Sequence, residues 1–129
     1  MSIERNKALV RRYITEVLAG GNVALVDELL GADYVNRSMG DMDRAGFKAW
    51  LEKASAGPGG RMEIRDLVAE GDAVVARFTY AITLPDGEEV TARGLTFYRL
   101  ADGRIVEDDP ITTPDLTQVF ADQMPTPTP

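Results

Sequence analysis

From residue 61 onward the chain carries four long stretches of strand-like alternation: Arg61 to Ala69, Ala73 to Leu84, Glu89 to Leu100 and Arg104 to Asp109. They are separated by Glu70-Gly71-Asp72, Pro85-Asp86-Gly87 and Ala101-Asp102-Gly103, which are hairpin punctuations. A meander of this kind needs something to cover one face. The half of the chain before it supplies helices, and helices followed by a run of hairpins make an α+β fold with the helices on one sheet face.

The first helix is read over Ser2 to Leu18, where Leu9, Val10, Tyr13, Ile14 and Val17 recur at helical spacing among charges. Gly20-Gly21 stops it. Asn22 is placed to cap a second, short helix over Val23 to Leu30 that ends at Gly31. Asp33 to Ser38 reads as extended, Met39 to Asp43 as a loop, and Arg44 to Ser55 as a third helix with Phe47, Trp50 and Leu51 on one face. Glycines and a proline between 56 and 60 break it. Beyond the strands, Pro114-Asp115 is expected to open a terminal helix to Asp122. A single domain over 1–122 and a disordered Pro/Thr tail over 123–129 complete the expectation.

Composition narrows the chemistry. The sequence contains neither cysteine nor histidine, which removes thiolate catalysis, disulfides, the commonest metal ligands and the usual general base. Proton transfer must then use Asp, Glu, Tyr, Lys or Arg. No carboxylate motif spaced for a metal is present, so neither a metal nor a cofactor is expected. The net charge of −7 with scattered basic residues argues against nucleic acid as a partner. The apolar runs are far shorter than the roughly 20 residues of a membrane helix. The N-terminal residues are charged throughout, and a cytoplasmic location is expected.

Asn6 to Ile14, Gly21-Asn22, Asp27 to Leu30 and Asp33 to Asn36, followed by Gly46 to Lys48, Asp66 to Arg77 and Tyr98 to Glu107, resemble in order and spacing a SnoaL-like polyketide cyclase of the NTF2-like superfamily. The resemblance spans about residues 6 to 108. It implies a cone in which a curved, mostly antiparallel sheet wraps around N-terminal helices and encloses an apolar pocket, and it implies a homodimer. Such proteins include cyclases, isomerases, epoxide hydrolases and binding proteins, so the fold leaves function open.

Strand alternation then sorts candidates. On the second long strand Val74, Ala76, Phe78, Tyr80 and Ile82 share the apolar face, which the resemblance turns toward the pocket; on the third, Ala92, Gly94, Thr96 and Tyr98 match them. Arg93, Leu95, Phe97 and Arg99 fall on the opposite face, which suits a dimer interface. On the last strand the resemblance places Val106, Asp108 and Pro110 inward, and Ile105, Glu107 and Asp109 outward. Asp108 is the candidate general acid/base, the alternative being a solvated acid at a strand end. Tyr13 is the candidate oxyanion donor by resemblance to ketosteroid isomerase-like relatives, or else a core aromatic. Their remaining machinery is missing, since Arg37 and Thr96 stand where their two acids would be.

Arg37 either binds an anionic substrate group or pairs with Asp108 if it points inward, or is a surface charge if it points outward. Asn36 lies on the other side of the backbone from it. Val17, Tyr34, Trp50, Phe78, Tyr80, Thr96 and Tyr98 are the remaining candidate substrate contacts. The expected function is a cofactor-independent cyclase or isomerase closing a ring in a bulky, mostly apolar, polyketide-like molecule. The alternatives are a non-catalytic small-molecule-binding domain and an epoxide hydrolase-like enzyme.

Overall fold

The Ser2 side chain accepts a hydrogen bond from the Arg5 amide at 3.1 Å, and this cap opens helix α1, Ile3–Arg12. Glu4 in the first turn and Arg11 and Arg12 in the last suit the helix dipole. In this computed structural model, which describes residues 2–55, 60–84 and 86–115, the helix does not stop at Arg12. It widens into a π-helical segment, Tyr13–Ala19, entered where the Tyr13 amide meets the carbonyls of both Leu9 and Val10. The single expected helix is thus right in extent but changes winding at Tyr13. Pi-helical turns are rare and concentrate at functional sites.

A short turn of 3₁₀ helix, Val23–Leu25, runs into α2, Val26–Leu29. The Asn22 side chain makes no capping bond, contrary to expectation, and its backbone carbonyl instead accepts from the Leu25 amide. Strand β1, Leu30–Asn36, begins three residues earlier than the sequence suggests. After a 3₁₀ turn over Arg37–Met39 come the two-residue β2, Met42–Asp43, and α3, Arg44–Ser55. The four long strands are β3, Gly60–Glu70, β4, Ala73–Thr83, β5, Glu89–Ala101, and β6, Arg104–Thr113. The expected terminal helix and tail fall outside the described residues, apart from Pro114 and Asp115.

These strands form one curved sheet in the order β2-β1-β6-β5-β4-β3. Every pairing is antiparallel except that of β1 with β6, which is parallel. The hairpins at Gly71 and Gly103 use φ of 58° and 76°, a region open to glycine at little cost. Val10, Tyr13 and Val17 from the helical half and Val74, Ala76 and Tyr98 from the sheet are fully buried against one another. α1 packs on β3 and β4, and α3 on β1. Among the described residues, no helix is long and apolar enough to cross a membrane.

One face assignment is overturned. Ile105 was expected outward and is fully buried, whereas Val106, expected inward, is only partly covered. The cause is a β-bulge: Leu100 pairs with Ile105 and Arg99 with Glu107, leaving Val106 as an extra residue. Strict alternation fails across it, so Ile105 and Asp108, an odd number of positions apart, both point into the core.

Candidate active site

Asp108 is 3% exposed and is the one buried acid among the described residues. Two neighbouring strands frame it. Its register partner on β5 is Tyr98, and its partner on the parallel strand β1 is Asn36. Tyr34, two residues before Asn36 and on the same face, reaches the carboxyl directly. Its hydroxyl donates to Asp108 Oδ2 at 3.1 Å and accepts from Asn36 Nδ2 at 3.2 Å.

The π-helical segment brings Tyr13 over this group. Its ring meets Tyr98 edge to face at 6.0 Å and Phe47 at 6.4 Å. Phe47 touches Tyr34 at 5.6 Å and stacks on the half-buried Trp50 at 5.8 Å, so α3 closes the aromatic wall. The Tyr13 hydroxyl is fully buried and has no hydrogen-bond partner among the described residues. A buried donor left unpaired is costly unless a bound group completes it.

Burial dominates the electrostatics. It drives the Asp108 pKa up to about 7, assisted by the neighbouring charge of Asp109 and opposed by the Tyr34 and Tyr13 hydroxyls. The same burial raises the pKa of Tyr13, Tyr34 and Tyr98, so all three remain protonated donors near neutral pH. A carboxyl poised near neutrality and surrounded by hydroxyl donors can take a proton from carbon or oxygen and return it.

Residues 10–108 match the sequence profile of the SnoaL-like domain. The chain belongs to the SnoaL-like family. Among solved structures, this SnoaL-like protein is similar to a candidate polyketide cyclase from Acidithiobacillus ferrooxidans, with 22% identity over 96% of this chain and 100% of the other at a TM-score of 0.76. It is also similar to an LEH-like epoxide hydrolase of M. tuberculosis, with 19% identity, 94% and 92% coverage and a TM-score of 0.76. IdmH, a candidate polyketide cyclase from Streptomyces antibioticus, gives 21%, 89% and 98%, and 0.74. At these identities the likeness is one of NTF2-like fold. No curated protein matches the sequence.

Of the residues singled out in this SnoaL-like protein, Asp108, Tyr13, Tyr34, Asn36 and Tyr98 converge. Val17 and Thr96 are buried nearby in the chain, one helical turn from Tyr13 and two residues from Tyr98. Phe78 is buried further along β4, packed close to Gly94 of β5. Tyr80 is half-buried and borders a groove of about 570 Å³ with Arg61, Thr79 and Arg93, apart from the cluster.

Arg37 points outward. It pairs with Glu107 at 2.9 Å and Asp41 at 3.1 Å, not with Asp108, and its guanidinium is held more basic by those acids. The sequence reading missed Ser38. Its amide and hydroxyl both donate to Asn36 Oδ1, at 3.1 and 2.9 Å. The available signal was the spacing itself, an Asn followed two residues later by a Ser, which is the pattern of a side chain closing a turn on its own backbone.

Proposed function

We propose that this protein is a cofactor-independent acid/base enzyme of the cyclase or isomerase type, acting on a bulky, mostly apolar, polyketide-like carbonyl compound. The observation that carries the reading is Asp108: a buried carboxyl with a pKa near neutrality, held by Tyr34 and ringed by protonated hydroxyls. Ionised Asp108 removes a proton from carbon next to a carbonyl, and the electron pair moves to the carbonyl oxygen as an enolate. The Tyr13 hydroxyl, beside Asp108 and without a hydrogen bond of good geometry among the described residues, is a donor suited to that oxygen. The enolate carbon then forms a bond to a second carbonyl carbon of the same molecule. The alkoxide so made takes the proton back from Asp108, leaving the enzyme unchanged. Holding both ends against the aromatic residues lowers the entropic part of the barrier.

The names of the similar structures support this class of chemistry and include hydrolysis beside it. Hydrolytic opening of an epoxide needs a proton donor on the epoxide oxygen as well as a base on water. Thr96 and Gly94 occupy the inner face of β5, so no second buried acid serves that role among the described residues.

The test is hydrogen-deuterium exchange at the acidic carbon of an aryl β-keto ester in D₂O, followed by NMR. Wild-type protein should accelerate exchange, with a rate that rises as Asp108 ionises through about pH 7, and Asp108→Asn should lose on the order of a hundredfold. Binding without exchange favours the small-molecule-binding alternative. Conversion of an aryl epoxide to its diol, with no exchange, favours the hydrolase.

A further inference from the structure

The hydrogen bonds around Asp108 have a direction, and that direction can be read without seeing a hydrogen. A backbone N–H only donates, so the Asn36 atom that faces the Ser38 amide at 3.1 Å must be the carbonyl oxygen. The Ser38 hydroxyl, at 2.9 Å, donates to the same oxygen and leaves it no reason to turn away. The Asn36 amide nitrogen therefore faces Tyr34, and it too only donates. The Tyr34 oxygen accepts there, and its one proton is left for Asp108 Oδ2.

We propose that Ser38 and Asn36 are positioning residues which, through Tyr34, commit Asp108 Oδ2 to accepting and so make Oδ1 the oxygen that carries and transfers the proton. The inference deepens the acid/base reading and rests on it for its catalytic meaning. A carboxyl whose two oxygens are equivalent offers its proton in either direction. Here the chain from β1 favours Oδ1 as the one that holds it, so the proton's position is biased by the turn at Arg37–Met39 before any substrate arrives.

Of the other groups around the carboxyl, the Tyr13 hydroxyl also favours its ionised form, and it approaches from a different element than Tyr34. Tyr13 approaches from the π-helical segment and Tyr98 from β5. Asp109, beside it on β6, is exposed and acts by charge alone. The Tyr13 hydroxyl makes no hydrogen bond of good geometry among the described residues, yet it lies close enough to Asp108 and Tyr34 to favour the ionised carboxyl.

The experiment is neutron diffraction on the deuterated wild-type protein at pD 5, with Asp108 protonated, and at pD 9. The expected result is deuterium on Tyr34 directed at Oδ2 at both values, and at pD 5 a second deuterium on Oδ1. Deuterium on Oδ2, or a Tyr34 hydroxyl directed at Asn36, overturns the proposal. In solution, the Asp108 carboxyl carbon is titrated by NMR in the wild type, Tyr34→Phe, Asn36→Leu and Ser38→Ala. Loss of a donor to Oδ2 should raise the pKa by about half a unit to one unit, a threefold to tenfold change in ionisation constant, in Tyr34→Phe. Asn36→Leu should show a smaller rise and Ser38→Ala the smallest. A purely structural role would leave the pKa where it is, and an unchanged value in folded Tyr34→Phe refutes the relay. Neither measurement needs turnover, so a protein with this proton arrangement but no exchange activity would refute the enzymatic reading alone.

Discussion

Asn36 and Asp108 stand opposite each other across the parallel pair of β1 and β6, and the Tyr34 hydroxyl links them at 3.2 and 3.1 Å. The pairing sets the uncharged side chains of Tyr34 and Asn36 beside the one buried acid of the described residues. The stability and reactivity of that acid are therefore set by the same contacts.

The raised Asp108 pKa ties stability to pH. The unfolded carboxyl titrates near its ordinary 3.8 and the folded one near about 7, so between these values the folded state binds more protons. The stability from this group is present in full below about pH 4 and is lost as pH rises through about 7. The whole span corresponds to roughly 4 kcal/mol. Asp108→Asn should flatten this fall and be more stable than wild type at pH 8, measured by urea unfolding at pH 4, 6 and 8. Parallel pH profiles would mean that the carboxyl is not buried in solution.

Tyr13→Phe separates stability from function. Its hydroxyl has no partner among the described residues, so removing it should leave the melting temperature unchanged or slightly higher. Exchange activity should nevertheless fall by about a hundredfold if the hydroxyl holds the developing oxyanion. Full activity in the variant would remove Tyr13 from the mechanism.

Gly94 lies where two strands and a ring meet. A methyl group there would come within 2.5 Å of the Ile111 carbonyl oxygen and 3.1 Å of the Phe78 ring. Gly94→Ala should cost about 1–3 kcal/mol by overpacking, read from the urea midpoint at constant m-value. A neutral effect would show that β6 can move aside.

The outer sheet face makes a prediction about assembly. Leu95 and Ile111 are register partners, 51% and 75% exposed, and Phe97 lies beside them. Arg93 and Asp109 flank the pair and form no ion pair among the described residues. A two-fold axis along the Leu95–Ile111 row would bring each Arg93 near the partner copy's Phe97 and Asp109, burying the apolar pair. Wild type should sediment as a dimer at micromolar concentration and Leu95→Glu with Ile111→Glu as a monomer. A monomeric wild type would refute the interface.

Much of the architecture was legible because it depends on local signals. The hairpins at Gly71 and Gly103, the helix over 44–55 and the inner face of β4 follow from turn residues and periodicity. Asp108 was legible as an inward acid by family resemblance, but Ile105 was misplaced, because nothing in residues 104–109 announces that Val106 bulges. The change to π winding at Tyr13 was equally silent, since its buried residues keep a spacing that an ordinary helix also shows. The relay from Ser38 to Asp108 depends on register between strands far apart in sequence, which no local pattern encodes.

That separation has a consequence for how the protein is made. Tyr34 is synthesised 74 residues before the acid it contacts, and until β6 exists the strand that bears it has only the two-residue β2 as a neighbour in the sheet. For most of synthesis the first strand is an open edge, the condition under which chains associate wrongly. Asp108 is then in the last strand of the described sheet to be made, the one that pairs with both β1 and β5. A nascent chain stalled before β6 would carry the hydroxyls of Tyr13, Tyr34 and Tyr98 but not the acid beside them, and would be most exposed to chaperones or aggregation at that stage. Ribosome release with all of β6 emerged should mark the point at which protease resistance of Tyr34 and its neighbours appears.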